Sequence, residues 1–187
     1  MIKFKHEPKL KRKIYLLLTK FSDTGTTVIK TLTGLEYPHT SIGLDEDMNT
    51  FYSFVTKGFI VEKINRYAKP GRKAVPCRLY EMTVTEETYL NIKQELEYFV
   101  KYGDLFHYSK TSLALSILNL PYKRSQFGFF CSQFVAFILQ KSKAIKLSKS
   151  VNKYFSNDLS SISGMRLRYQ GTLKSMMDRL CIKPCLT

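Results

Sequence analysis

The chain has 187 residues and is strongly basic, with 30 Lys and Arg against 15 Asp and Glu and a net charge of +15. Hydrophobic residues make up 44% and aromatic residues 13% of the chain, which excludes an intrinsically disordered protein. No run reaches the roughly 18 consecutive apolar residues that a membrane helix needs. The sequence therefore predicts a globular protein with a hydrophobic core.

The excess of positive charge makes an anionic lipid surface, nucleic acid or an acidic polymer a candidate partner. Basic residues are concentrated at residues 3–13 and 141–153. A solvated basic surface produces the same composition, because net charge bears on association rather than on the fold. The N-terminal basic segment is followed by an apolar run too short for a signal peptide. We therefore expect a cytoplasmic protein, with a peripheral position at a membrane surface as the alternative.

The four cysteines give no sign of a metal site or a disulfide framework. They contain no CxxC pair and have no histidine at zinc-ligand spacing. They are Cys77, Cys131, Cys181 and Cys185. We expect no metal and no cofactor.

The first half of the chain predicts a basic arm followed by a domain rich in strands. Residues 1–12 form the arm and residues 14–18 an apolar, central strand. Ser22 or Asp23 caps a helix that ends at Gly34. The inner face of that helix is formed by Val28, Ile29 and Leu32. Extended segments separated by turns follow at residues 39–44, 50–55, 59–64 and 74–82.

The second half predicts helices. Thr85 caps a helix that runs to Gly103. Its inward residues are Tyr89, Ile92, Leu96, Phe99 and Val100. A shorter helix covers residues 112–120, and residues 143–187 form a basic extension that packs on or trails from the domain of residues 13–142. Within this extension we expect a weak strand at 165–169 and a helix at 172–180. The order of elements predicts an α+β fold.

One apolar segment, QFGFFCSQFVAFILQKS at residues 126–142, carries a single thiol, Cys131. Its large apolar residues follow at helical spacing, as Phe134, Val135, Ile138 and Leu139, with Gln133, Gln140 and Lys141 on the other face. Cys131 therefore enters a buried helix at its first turn, where free amides and the helix dipole favour the thiolate. A buried core cysteine is the alternative interpretation.

A thiol nucleophile needs a base, and imidazole suits that role near neutral pH. Of the three histidines, His6 lies in the basic arm and His107 in a loop, where a surface or structural role is expected. His39 begins a strand that we expect to be central, which is a rigid place from which to orient the ring. His39 and Cys131 are therefore the candidate pair.

Four stretches carry a resemblance to a known family: EYPHTSIGLD at residues 36–45, FYSF at 51–54, GFIVE at 58–62 and FCSQFV at 130–135. From about residue 13 to residue 142, the chain resembles the circularly permuted branch of the NlpC-type papain-like superfamily. That branch includes YiiX-like proteins and relatives of lecithin:retinol acyltransferase. The resemblance implies a papain-like antiparallel sheet packed against helices, a peptide or lipid acyl substrate, Cys131 as nucleophile and His39 as general base.

Family members usually place a third polar residue on the next strand to hold the imidazole. Hairpin pairing puts Ser53 near that position, and Glu62 is the alternative, although its ordinary role is that of a surface carboxylate. For Tyr37 we favour packing over a contact with the oxyanion. The competing function is a non-catalytic or decayed papain-like protein whose basic surface binds an anionic lipid or polymer. It gains nothing from the aromatic residues Phe129, Phe130, Phe134 and Phe137, which we expect in the core rather than beside exposed Arg and Lys.

Overall fold

The computed structural model describes residues 10–21, 31–67, 69 and 71–180, which form an α+β fold with an antiparallel six-stranded sheet. The strands are β1 (Lys11–Thr19), β2 (His39–Leu44), β3 (Thr50–Val55), β4 (Gly58–Lys63), β5 (Pro76–Thr85), β6 (His107–Tyr108), β7 (Gly128–Phe129) and β8 (Arg166–Thr172). The helices are α1 (Glu86–Tyr102), α2 (Lys110–Ile117), α3 (Cys131–Lys141), α4 (Ser156–Ser160) and α5 (Leu173–Leu180). The order in the sheet is β4-β3-β2-β1-β5-β8, and β6 pairs with β7 in parallel.

Strand β1 is central, as predicted, but it begins three residues earlier than the apolar run indicates. Lys11 pairs with Thr85 of β5, and the Arg12 guanidinium lies 2.7 Å from Asp45 and 3.2 Å from Glu86. Ladder pairing and these ion pairs hold polar residues in the strand, so the predicted arm does not extend to residue 12. His6 and the rest of residues 1–9 lie outside the described residues.

Helix α1 begins as predicted, with the Thr85 hydroxyl accepting a hydrogen bond from the Thr88 amide at 3.2 Å. Tyr89, Ile92, Leu96 and Phe99 are buried, as predicted, whereas Val100 is 53% exposed. The prediction for Val100 was wrong because a residue next to Phe99 lies a further 100° around the helix, at the edge of its apolar face.

Most of the helix predicted before Gly34 lies outside the described residues, including Ser22, Asp23, Val28 and Ile29. Residues 31–33 are helical, and Gly34 has a φ of +68°, the left-handed conformation with which helices commonly end. Leu32 is 64% exposed. Its predicted place on the inner face was therefore wrong.

The two faces of the sheet bury separate apolar clusters, because side chains alternate between faces along each strand. Ile14, Leu16 and Ile42 pack with residues of α1 and α3 on one face. Leu17, Phe51 and Leu79 pack with residues of α5 on the other.

Residues 143–180 pack on this sheet and complete it. Tyr154 and Leu159 are buried in the cluster beneath α1 and α3, β8 pairs with β5, and Leu173 of α5 is fully buried. The predicted weak strand and C-terminal helix are both present, at 166–172 and 173–180. Within the described ranges, none of the helices has the length and apolar character needed to cross a membrane.

Candidate active site

Cys131 is the first residue of α3, as the sequence predicts. Phe130 precedes it in an extended conformation, and the first hydrogen bond of the helix runs from the Phe134 amide to the Phe130 carbonyl at 2.9 Å. The amides of the first turn, at residues 131–133, therefore have no acceptor within the helix. The Cys131 side chain is buried, and its Sγ lies 3.6 Å from the Pro38 carbonyl oxygen. The thiol thus sits at the positive end of the helix and beside the residue that precedes His39.

His39 is the first residue of β2, and all six residues of this strand are buried. Its Nε2 atom lies 3.2 Å from Oε2 of Glu62 on β4, and the two side chains are only 9% and 4% exposed. The expectation of a surface carboxylate was therefore wrong for Glu62. A buried carboxylate requires a charged or hydrogen-bonding partner, and His39 supplies it.

The surroundings of His39 favour the charged imidazolium. Burial of the ring lowers its pKa, but the negative charge of Glu62, the Cys131 side chain and the hydrogen bond to Glu62 together outweigh burial and raise the pKa of His39 to about 10. Nε2 is therefore the ring atom that faces the Glu62 carboxylate, and the Cys131 thiol is among the groups that favour the charged ring.

Ser53, the first candidate for the third position, has a different partner. It is fully buried, and its hydroxyl donates to the Thr40 carbonyl oxygen at 2.6 Å. The ladder between β2 and β3 pairs Ile42 with Tyr52 and Gly43 with Phe51, and the Ser53 hydroxyl satisfies a β2 carbonyl beyond those pairs. A serine hydroxyl has one proton to donate, and here the backbone accepts it. Glu62, not Ser53, is at the His39 ring.

Residues that sequence reasoning did not single out surround the imidazole. The Phe21 ring packs edge-on against His39, with centroids 5.4 Å apart, and lies 5.1 Å from the Tyr67 ring. Thr19 is the direct partner of His39 across the β1–β2 ladder, and Ser41 is two residues along β2. The Thr19 and Ser41 hydroxyls are buried and have no hydrogen-bond partner among the described residues, so both can bind water or a polar group. The only feature that could have placed Thr19 beside His39 is the register of the β1–β2 ladder.

The predicted orientation of Gln133 was wrong, because this residue is fully buried. Its Nε2 donates to the Tyr122 hydroxyl at 3.1 Å and to Oδ1 of Asn152 at 2.9 Å. The first turn of α3 is thereby fixed to the loop before it and to the C-terminal segment. These two partners are distant in sequence, so helical periodicity alone places a glutamine on the outer face.

Two other predicted placements agree with the structure. Tyr37 is buried in the core, with the Arg78 guanidinium 4.6 Å from its ring centroid, so it packs as expected. His107 is exposed, as expected, although it lies on the short strand β6 and not in a loop. Across the described residues, no group of three or more His, Cys, Asp or Glu side chains could hold a metal ion.

Comparison with known proteins gives no family assignment: no family model matches the chain, and no curated protein is significantly similar to it.

Proposed function

We propose that this protein is a cysteine hydrolase or acyltransferase of the permuted papain-like kind, with Cys131 as nucleophile, His39 as its proton-transfer partner and Glu62 as the residue that orients His39. The observation that carries the proposal is the buried contact of 3.2 Å between His39 and Glu62, with the Cys131 thiol at the helix N-terminus 3.6 Å from the carbonyl oxygen of Pro38, the residue before His39. A nucleophile, a base and a group that orients the base are the three parts of such a site.

The charged ring allows a thiolate–imidazolium pair at neutral pH. In the proposed reaction, Sγ attacks the substrate carbonyl carbon, and the negative charge that develops on the carbonyl oxygen is met by the backbone amide of Cys131 at the helix N-terminus. His39 then gives its proton to the leaving amine or alcohol, and the bond from carbon to the leaving group breaks. The product is a thioester on Cys131.

The second half of the reaction releases the acyl group. The neutral His39 removes a proton from water, or from an alcohol or amine acceptor, which attacks the thioester carbonyl. Breaking the carbon–sulfur bond restores the thiolate, and the proton remains on His39. Hydrolysis and acyl transfer therefore differ only in the acceptor, and the resemblance to the papain-like superfamily implies a peptide or lipid as the acyl donor.

The competing proposal is a decayed or non-catalytic papain-like binding protein. Its support in the sequence was the basic composition and, for a decayed site, the serine at the third position, which orients an imidazole less strongly than a carboxylate does. The contact between Glu62 and His39 provides a stronger orienting group, because a carboxylate forms charge-assisted hydrogen bonds. We therefore favour the enzyme.

The test is the rate at which iodoacetamide alkylates each cysteine between pH 5 and pH 9, read by peptide mass spectrometry. Cys77 is the internal control, because it is fully buried and burial raises the pKa of its thiol to about 12. We expect Cys131 to react below pH 7, where a free thiol with a pKa of about 8.5 is largely protonated. His39→Gln should move its profile towards that of a free thiol. A Cys131 that reacts no faster than a model thiol at every pH would remove the proposal.

A further inference from the structure

A continuous aromatic surface lies along α1 and the loops that flank α2. Ring centroids join Tyr102 to Tyr98 at 4.9 Å, Tyr98 to Phe106 at 6.2 Å and Phe106 to Phe127 at 5.8 Å. Three of these rings are substantially exposed: Tyr98 by 46%, Tyr102 by 39% and Phe127 by 42%. The fourth residue, Phe106, is only 8% exposed, and its ring connects those of Tyr98 and Phe127; we call these four residues the aromatic surface. Exposed apolar patches of this kind mark sites of interaction.

Cations border the aromatic surface. Lys101 Nζ lies 5.2 Å from the Tyr102 ring centroid, and Lys141 Nζ lies 6.0 Å from that of Tyr98. The Arg124 guanidinium lies 4.3 Å from the Phe129 ring and 5.1 Å from the Phe137 ring. The exposed Lys141 has its Nζ 5.6 Å from the Phe137 ring, so the sequence-based expectation that Phe137 would lie apart from exposed basic residues was wrong.

Arg124 is a half-buried cation at the border of the aromatic surface. Its guanidinium donates to the backbone carbonyls of Ser125 and Gln126, and it has no carboxylate partner among the described residues. Lys141, in contrast, is 2.8 Å from Glu95. Arg124 and Lys141 also line a pocket of about 160 Å³ whose walls include Tyr98, Phe106 and Phe127 of the aromatic surface.

We propose that the aromatic surface, with Lys101, Arg124 and Lys141 at its border, is the site by which this protein docks on a bilayer that contains anionic lipids. Tyr and Phe rings are suited to the headgroup region because they are large and amphipathic or apolar. Adjacent cations are attracted to anionic headgroups, and the net charge of +15 adds a long-range attraction of the same sign. Phe127 lies four residues before Cys131, so docking would hold the segment that leads to the thiol at the membrane.

The docking proposal does not depend on catalysis. Cys131→Ala should therefore bind vesicles as the native chain does. Failure of the enzymatic proposal would not contradict docking, and failure of docking would not contradict the enzymatic proposal.

The chain contains no tryptophan, so a single introduced tryptophan reports its own surroundings. Phe127→Trp places this reporter on the aromatic surface, and Leu167→Trp places it at a control position on β8 that is 52% exposed. Titration with phosphatidylcholine vesicles containing phosphatidylglycerol should shift the emission of the first protein to the blue and leave that of the second unchanged. Vesicles of phosphatidylcholine alone should have a much smaller effect.

A matched pair of double variants tests the residues by vesicle flotation. Arg124→Gln with Phe127→Ser and Arg166→Gln with Leu167→Ser each remove one charge and one exposed apolar side chain. The loss of Arg124 alone should weaken binding about fivefold, the effect expected for one basic residue near an anionic surface. The full change at 124 and 127 should weaken it at least about tenfold, because apolar contact is lost as well. The pair at 166 and 167 should change binding less than twofold.

Three outcomes would overturn the proposal: no vesicle binding at low salt, an equal loss in both double variants, or an equal emission shift at positions 127 and 167. If the chain does not bind vesicles but forms a dimer, and the change at 124 and 127 dissociates that dimer, the surface would instead be a site of self-association. Circular dichroism and the unfolding midpoint of each variant establish that the fold is retained.

Discussion

Replacing Glu62 with Gln tests the pairing on which the candidate site depends. The change keeps the shape of the side chain but removes its negative charge. In the native chain, Oε2 of Glu62 lies 3.2 Å from His39 Nε2. In the variant, burial still lowers the pKa of His39, and only its interactions with Cys131 still raise it. The pKa of His39 should therefore fall from about 10 towards, or below, its ordinary value of 6.5. At neutral pH the ring changes from charged to largely neutral.

This change has two further consequences. The loss of a charge-assisted, buried hydrogen bond should lower the free energy of unfolding by about 1.5 to 3 kcal/mol at pH 6. Alkylation of Cys131 at pH 7 should slow, because a neutral imidazole no longer stabilises the thiolate that reacts.

Proton NMR of the imidazole resonances between pH 5 and pH 11 measures the pKa directly. The chain has three histidines, so a His39→Asn spectrum identifies the relevant signal. Glu81→Gln is the control, because that carboxylate lies on β5 and pairs with Lys13 at 3.2 Å instead of with His39. A His39 pKa that is the same in Glu62→Gln as in the native chain would refute the proposed orienting role.

Three other predictions concern the same part of the sheet. Ser53→Ala should cost about 1 to 3 kcal/mol of unfolding free energy in urea titrations, because it leaves the Thr40 carbonyl without its hydrogen bond, yet it should leave the His39 pKa unchanged. The raised pKa of His39 stabilises the fold fully below pH 6.5, and this contribution is lost as the pH rises through about 10. Unfolding free energy should therefore fall by up to about 1.4 kcal/mol per pH unit in that interval, and by less in His39→Asn. Gly43→Ala should lower the unfolding midpoint, because its Cβ would lie 2.7 Å from the buried Phe51 ring, with overpacking costs of about 1 to 3 kcal/mol.

Local patterns predict the elements that form the candidate site, because each depends on neighbours in sequence. The apolar spacing after Cys131 places α3 and its first residue correctly, and the alternation after Pro38 places His39 at the start of a buried strand. The Thr85 cap likewise marks the start of α1.

Contacts between distant segments account for most of the errors. Gln133 was predicted on the outer face because it is polar, but it is fully buried and its side chain donates to Tyr122 and Asn152. In the sequence, Glu62 has the features of a surface residue. In the sheet, β4 lies two strands from β2, and there Glu62 contacts His39. Neither contact has a local signature, so register and tertiary packing were needed to find both.

The most direct test of the central claim is to trap the acyl intermediate. The native chain and the variants Cys131→Ala, His39→Gln and Cys77→Ser are each exposed to a nitrophenyl ester, quenched in acid and measured by intact-protein and peptide mass spectrometry. We expect a single acyl group on Cys131 in the native chain and in Cys77→Ser, with a matching burst of nitrophenolate. Cys131→Ala and His39→Gln should carry little or no acyl group. An acyl group on another residue, or the same rate of acylation without His39, would contradict the assignment of Cys131 and His39 as a catalytic pair.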